Sequence, residues 1–226
     1  MLRCVLDEQS FFEIGPDWAR SLIVGFGRIG GRTIGVLASN PRHLGGALDV
    51  TAADKQTRFV DTCDLFHIPI VYFADNPGLM IGAESERAGV LRHGMRAAQA
   101  IHGATVPVIT IQVRRGFGVG GFATGNPTRL SIKLCFPAAL LGDMPVEGGV
   151  MASFGKEIQE AEDPLAMQRE IEKRMREKAS LWTTAEHFGM EDVIDPRETR
   201  REIHRWLEGA LYSMRPGSKP GPKYRP

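Results

Sequence analysis

Two glycine-bearing stretches carry the residue types and spacing that chemistry would need. The first, Gly25-x-Gly27-x-x-Gly30 within "LIVGFGRIGGRTIGVLASN", has the spacing of a dinucleotide-binding turn, with Asp49 downstream where a ribose-binding carboxylate would sit. The second, "RRGFGVGGFATGNP" (Arg114–Pro127), follows a continuous apolar run and places Gly118, Gly120 and Gly121 where a helix would begin. A turn of this second kind leaves backbone N–H groups free of side-chain obstruction and aimed at an incoming oxygen, the requirement for an oxyanion hole.

The elements around each stretch decide between them. A dinucleotide turn needs a helix N-terminus after its glycines, because that end holds the pyrophosphate. Here Arg32-Thr33-Ile34-Gly35-Val36 follows, alternating and β-branched, which is a strand pattern. Gly30-Gly31 between two strands therefore reads as a hairpin turn. "FADNPGLMIG" also follows a buried-strand run, and Asn76-Pro77-Gly78 on its own reads as a packing turn. For Gly118-x-Gly120-Gly121 the residues support two readings equally: an oxyanion hole, or glycines that permit close helix–strand contact.

Periodicity predicts strands ending the Asp17–Gly27 stretch and over Arg32–Asn40, Pro69–Asp75 and Val106–Val113, with shorter ones in "SIKLCFP" and "AALLGDM". Helices are predicted over Thr51–His67 with Thr51 as cap, Gly82–Gly103, Val146–Ile158, Asp163–Trp182 and Arg197–Leu211. Such alternation implies an α/β domain with a largely parallel sheet and crossover helices. "RPGSKPGPKYRP" has little to bury, so residues 213–226 are expected to be a disordered basic tail behind a single domain over residues 1–212.

Net charge is +1 with 24% charged residues, which gives no sign of nucleic acid as a partner. No apolar run approaches the ~20 residues of a membrane span, so the expectation is a cytoplasmic protein without membrane association. Cys4, Cys63 and Cys135 share no metal-ligand spacing, and Cys63 and Cys135 sit in apolar contexts as small hydrophobes. There is no Gly-x-Ser-x-Gly elbow, Walker lysine loop or His-x-x-x-His pair, and no metal site is expected. Glu84 and Glu86 suit a helix N-terminus, and His93 reads as a hydrogen-bonded helix residue.

The stretches "VLDEQSFFEIGPDWARSLIVGFGRIGGRTIGVLASNP", "GALDVTAADKQTRFVDTCDLFHIPIVYFADNPGLMIG", "AGVLRHGMRAAQAIHGATVPVITIQVRRGFGVGG" and "VIDPRETRREI" together resemble the C-terminal half of carboxyltransferase β subunits of biotin-dependent acyl-CoA carboxylases. The resemblance runs from about Val5 to Leu211 and implies a crotonase-like ββα superhelix. It implies that the amides of Gly120 and Gly121 hold the ureido oxygen of carboxybiotin. Phe117, Gly118, Phe122, Ala123, Asn76, Pro77 and Gly78 would then surround the substrates, with a small Ala123 beside the acyl group.

The resemblance further implies a biotin carboxylase/biotin carboxyl carrier partner, a coenzyme A thioester substrate, and a homo- or hetero-oligomer in which another chain supplies the acyl-CoA half. The segment Phe136–Gly149 departs from the family's usual "WPTAE" region while keeping Met144, Glu147 and Gly148, which bears on substrate choice. A biotin-dependent carboxyacyl-CoA decarboxylase subunit and a non-catalytic assembly subunit are the competing readings.

Overall fold

The computed structural model describes residues 1–125, 131–214 and 219–223, with the side chains at 147, 148 and 152 outside that description. A short helix α1 (Leu2–Val5) and strand β1 (Phe12–Glu13) precede the hairpin of β2 (Leu22–Ile29) and β3 (Arg32–Ser39). Helix α2 (Val50–Leu65) crosses to β4 (Ile70–Asn76), and α3 (Ala83–Arg87) with α4 (Val90–Gly103) crosses to β5 (Val108–Phe117). Helix α5 (Gly118–Phe122) begins at the end of β5, before β6 (Ser131–Cys135) and β7 (Leu140–Gly142). The chain closes with α6 (Val146–Glu160), α7 (Pro164–Lys178), α8 (Leu181–Glu186), β8 (Asp192–Val193) and α9 (Thr199–Ser213).

The sheet runs β1-β2-β3-β4-β5-β6-β8, with β7 continuing alongside the far end of β5. Its first three strands are antiparallel neighbours and the rest pair in parallel. The glycine stretch of the hairpin is thus a turn: Gly30 and Gly31 adopt φ of 58° and 77°, a conformation cheap only without a Cβ.

Strand β4 explains why its sequence is continuously apolar. Ile70, Tyr72 and Ala74 enter a core shared with Phe59 and Val60 of α2 and Ile101 of α4. Val71 and Phe73 point the other way, to Ile203, Trp206 and Leu207 of α9. A central strand covered by helices on both faces has no polar side to present. Cys63 is fully buried in the first of these cores and Cys135 in a smaller one with Leu141 and Leu181, as expected; burial drives the Cys63 thiol far up and raises that of Cys135 to about 11.

Four expectations are corrected by local geometry. Asp49, not Thr51, caps α2: its carboxylate accepts the Ala52 N–H at 2.7 Å, while the Thr51 hydroxyl donates to it. The single helix expected over Gly82–Gly103 is two, because Gly89 takes φ 79° and turns the chain between α3 and α4. The helix expected over Asp163–Trp182 likewise divides: Ser180, at ψ 138°, caps a separate α8. The strand expected to end the Asp17–Gly27 stretch starts at Leu22, behind a turn in which Ala19 has φ 50°, and runs past Gly27 to Ile29.

The expected tail disorder falls partly on residues 215–218 and 224–226, outside the described residues. Within 219–223 the chain meets the body. The Gly221 N–H and the Lys223 ammonium donate to the buried Asp64 carboxylate at 2.7 and 2.8 Å, beside two donations from Thr105. Burial alone would raise the Asp64 carboxyl, but the donors, Lys223 first, outweigh it and hold it below the usual range.

Candidate active site

The parallel strands β4 and β5 end side by side, so the segments that leave them, 76–81 and 117–122, lie together at one edge of the sheet. Between them opens an apolar cavity of about 460 Å³. Its walls include Leu79, Met80 and Ile81 from the first segment, Phe117 and Val119 from the second, and Met144 from the turn before α6. Asp143 and Ser153 supply a polar margin, and Ile81 at the rim is 72% exposed.

The second turn carries free donors. Phe117 is the N-cap of α5, and Gly118 begins the helix at φ 52°. A Cβ there would also press to 3.1 Å from the Asp143 carbonyl oxygen. In a helix counted from this cap, the N–H groups of Gly118, Val119 and Gly120 have no intrahelical acceptor, whereas that of Gly121 points back at the Phe117 carbonyl. Of the expected pair, Gly120 is therefore among the open amides and Gly121 uses its N–H within the helix. Gly121 has a packing reason instead: a Cβ on it would lie 3.1 Å from the backbone carbonyl of Gly116.

The first turn offers fewer donors than its glycine suggests. Gly78, at φ 121°, gives its N–H to the Asn76 side chain at 2.8 Å, and Met80 gives its own to the Leu48 carbonyl at 2.9 Å. Pro77 has none. This turn forms a wall, with the Gly78 carbonyl tied to the Leu48 N–H at 3.0 Å.

Around α5 a buried polar frame fixes the donors. Gln56 of α2 donates to the Ala123 carbonyl at 2.7 Å and accepts the Tyr72 hydroxyl at 3.0 Å. Thr110 donates to the Thr124 carbonyl at 2.5 Å, and the Thr124 hydroxyl returns to the Gly121 carbonyl at 2.7 Å. At the other end Asp75 accepts from the Arg115 guanidinium at 2.9 Å and from that of Arg114 at 3.0 Å, and Arg115 reaches the Gly45 carbonyl. Burial would raise the Asp75 carboxyl, but the hydrogen bonds from Arg115 and Arg114 outweigh it and keep it ionised below the usual range. An amide held on all sides pays no reorganisation cost when charge develops in front of it.

Of the residues singled out in the sequence, Pro77, Gly78, Phe117 and Gly118 line the cavity. Gly120 lies behind its wall with Asn76, which is completely buried and does not line it. Ala123 is corrected: it is 0% exposed within the core against α2, so it cannot face an acyl chain. Phe122 is exposed, with its ring edge-on to His102 at 4.2 Å between centroids. His93 pairs with Asp54 at 2.7 Å on the α2–α4 side, as a hydrogen-bonded helix residue. Glu84 and Glu86 occupy the first turn of α3. The side chains of Glu147 and Gly148, and residues Asn126 and Pro127, lie outside the described residues.

Val119, Leu79, Met80 and Ile81 are the site residues that sequence reasoning missed. Their signal was present but weak: Leu79, Met80 and Ile81 form an apolar run after Gly78, and Val119 follows Gly118. Among the described residues, no group of three or more His, Cys, Asp or Glu side chains is placed to hold a metal ion, and no helix is long and apolar enough to cross a membrane.

Known proteins share this sequence pattern and fold. The carboxyl transferase domain family matches residues 1–217. The propionyl-CoA carboxylase carboxyltransferase subunit of Haloferax mediterranei is 36% identical over 206 residues, 90% of this chain and 40% of that protein. The biotin-dependent acetyl-/propionyl-coenzyme A carboxylase beta5 subunit of Mycobacterium tuberculosis is 36% identical over 208 residues, 88% of this chain and 37% of that protein. The chain thus spans about two fifths of the length of these relatives. The crystal structure of transcarboxylase 12S with hydrolysed methylmalonyl-coenzyme A bound superimposes with a TM-score of 0.84 at 33% identity, covering 98% of this chain and 43% of that one. The fold is that of crotonase-like carboxyltransferase subunits, and the chain belongs to the carboxyl transferase domain family.

Proposed function

We propose that this chain carries the carboxybiotin-accepting half of a biotin-dependent acyl-CoA carboxyltransferase, working with an acyl-CoA half and a biotin carrier. The observation that carries this reading is an apolar cavity lined by Gly118 and Val119 at the first turn of α5, where backbone amides have no intrahelical acceptor. The apolar walls suit a bicyclic ring, and backbone donors suit a ureido oxygen, so the residues present fit the group. Bound here, carboxybiotin would supply the carboxyl group and, once relieved of it, a ureido nitrogen basic enough to take the α-proton of the thioester.

The chain's own contribution is electrostatic and positional. The Val119 N–H at the cavity wall donates to the oxygen on which negative charge grows, the Gly120 amide adds its dipole from behind that wall, and Gly118 keeps the approach clear. Phe117, Leu79 and Met144 exclude water, which strengthens those hydrogen bonds. Asp75, through Arg114 and Arg115, holds the strand ends that set the two walls apart. The exposed Ile81 at the rim suits coverage by the acyl-CoA half, which would bring the thioester α-carbon against the cavity mouth and use proximity in place of a side-chain nucleophile.

The experiment is purification from the native source followed by transfer of labelled carboxyl from the copurifying biotinylated carrier to acyl-CoA thioesters. The reading predicts carboxylated acyl-CoA in the presence of this chain and none without it. Net release of carboxyl from a carboxyacyl-CoA would instead support the decarboxylase direction. Full transfer by a Val119→Pro variant would support a non-catalytic assembly role.

A further inference from the structure

Asn76 stands between the two turns and touches both. Its Oδ1 accepts the Gly78 N–H at 2.8 Å, and that bond decides which end of the amide is oxygen. The other end, Nδ2, is buried with no acceptor among the described residues. A Cβ built on Gly120 would fall 2.7 Å from Oδ1 and 2.8 Å from Nδ2, so the amide lies flat against Gly120. The side chain is 0% exposed.

A buried N–H without an acceptor destabilises a fold, and native structures keep few of them. An apolar side chain of similar size would fill the same space without that orphan. The acceptor end alone explains the Gly78 turn; it does not explain the donor end, which lies against the helix turn that holds the open amides.

We propose that Asn76 is a positioning residue for carboxyl transfer: it locks the Gly78 wall to the Gly120 turn and sets a donor dipole behind the Gly120 amide. Its Oδ1 fixes the Gly78 turn, and its amide face sets how closely the Gly120 turn packs against it. Its Nδ2 places positive partial charge beside the helix turn that faces the developing negative charge, and so adds to the field without touching the ligand. No side chain fits at position 120 while Asn76 is in place, so the requirement for glycine there follows from Asn76. This inference rests on the carboxyltransferase reading.

The test is Asn76→Asp in the reconstituted complex. The substitution keeps the acceptor for Gly78 and exchanges the donor for an oxygen. Expected is a fall in kcat for carboxyl transfer on the order of tenfold, less than deletion of a direct donor would cause. KM for the carboxylated carrier and assembly stay near wild type, while the melting temperature falls at neutral pH, where the buried carboxylate is desolvated, and recovers as pH is lowered. The ratio of variant to wild-type rate rises as pH is lowered, because the introduced carboxyl becomes a donor again on protonation and burial brings its titration toward neutral pH. A wild-type kcat with a flat pH ratio overturns the proposal.

If Asn76→Asp fails to assemble, the cycle of Asn76→Ala, Gly120→Ala and the double variant decides. Shortening Asn76 removes the collision that Gly120→Ala creates, so the double variant loses less than the product of the single losses. Independent, multiplicative losses overturn the proposal. A wild-type complex that transfers no carboxyl group refutes the carboxyltransferase reading itself, a different outcome, and removes the role of Asn76 with it.

Discussion

Asp7 and Gly31 are joined across the hairpin turn: the carboxylate accepts the Gly31 N–H at 2.8 Å through one oxygen and the Gly30 N–H at 3.0 Å through the other. The turn that resembles a phosphate loop does hold an anion, and the anion is the chain's own. Arg200 of α9 completes the cluster at 2.6 Å from Asp7, tying the hairpin to the last helix. Arg200 first, then the Gly31 amide, lowers the Asp7 carboxyl to about 2.

A depressed carboxyl stabilises the fold fully above its unfolded value of 3.8, and the contribution disappears as pH falls toward about 2. Asp7→Ala is expected to lower stability at pH 7 by about 1–2 kcal/mol, with the difference from wild type shrinking below pH 4. Denaturant unfolding at pH 7 and pH 3 checks both. A difference that is equal at the two pH values would contradict the assignment.

Val119→Pro deletes one of the open amides at the second helical position, where proline is tolerated and no intrahelical hydrogen bond is lost. The expected result is a loss of about 10²–10³ in kcat for carboxyl transfer with assembly intact. Steady-state kinetics beside size-exclusion chromatography separate the two. Loss of assembly in parallel with activity would assign Val119 a structural role only.

Gln56→Leu leaves the Ala123 carbonyl without its donor and the Tyr72 hydroxyl without its acceptor, both in the core. A destabilisation of about 2–3 kcal/mol is expected from these orphaned groups, read as a lower unfolding midpoint. Gln56 frames the end of α5, so the same variant should lower kcat more than KM. A wild-type midpoint would show that water replaces the bonds.

Met144→Trp narrows the cavity without altering either turn. KM for the carboxylated carrier is expected to rise severalfold with kcat preserved, the pattern of lost ground-state binding. A change confined to kcat would place Met144 at the reacting atoms rather than in the wall.

The parts of the fold legible in the sequence are those set by near neighbours. Gly30-Gly31 between alternating β-branched residues reads as a hairpin because turn chemistry is local, and β4 reads as buried because an apolar run needs two covered faces. The break at Gly89 was hidden: the apolar period continues across it, and glycine is only weakly disfavoured inside a helix. The site divides in the same way. The glycines of α5 announce a turn that tolerates an approaching oxygen, but which amides are free depends on where the cap falls, and Phe117 became the cap only in the structure. Ala123 faces the core rather than the cavity because successive helical residues turn through 100°, a rotation that spacing alone cannot anchor. The contact of Asn76 with Gly120 joins residues on different strand ends, and only the parallel pairing of β4 and β5 brings them together.

The most direct test of the central claim is transfer of labelled carboxyl from the carboxylated biotin carrier, measured in a complex containing this chain and an acyl-CoA-binding partner. Wild-type protein is predicted to discharge the carrier and form carboxylated acyl-CoA. Val119→Pro is predicted to assemble normally and discharge it about a hundredfold more slowly or worse. Equal transfer by the two proteins, or none by the wild type with both partners bound, would contradict the account.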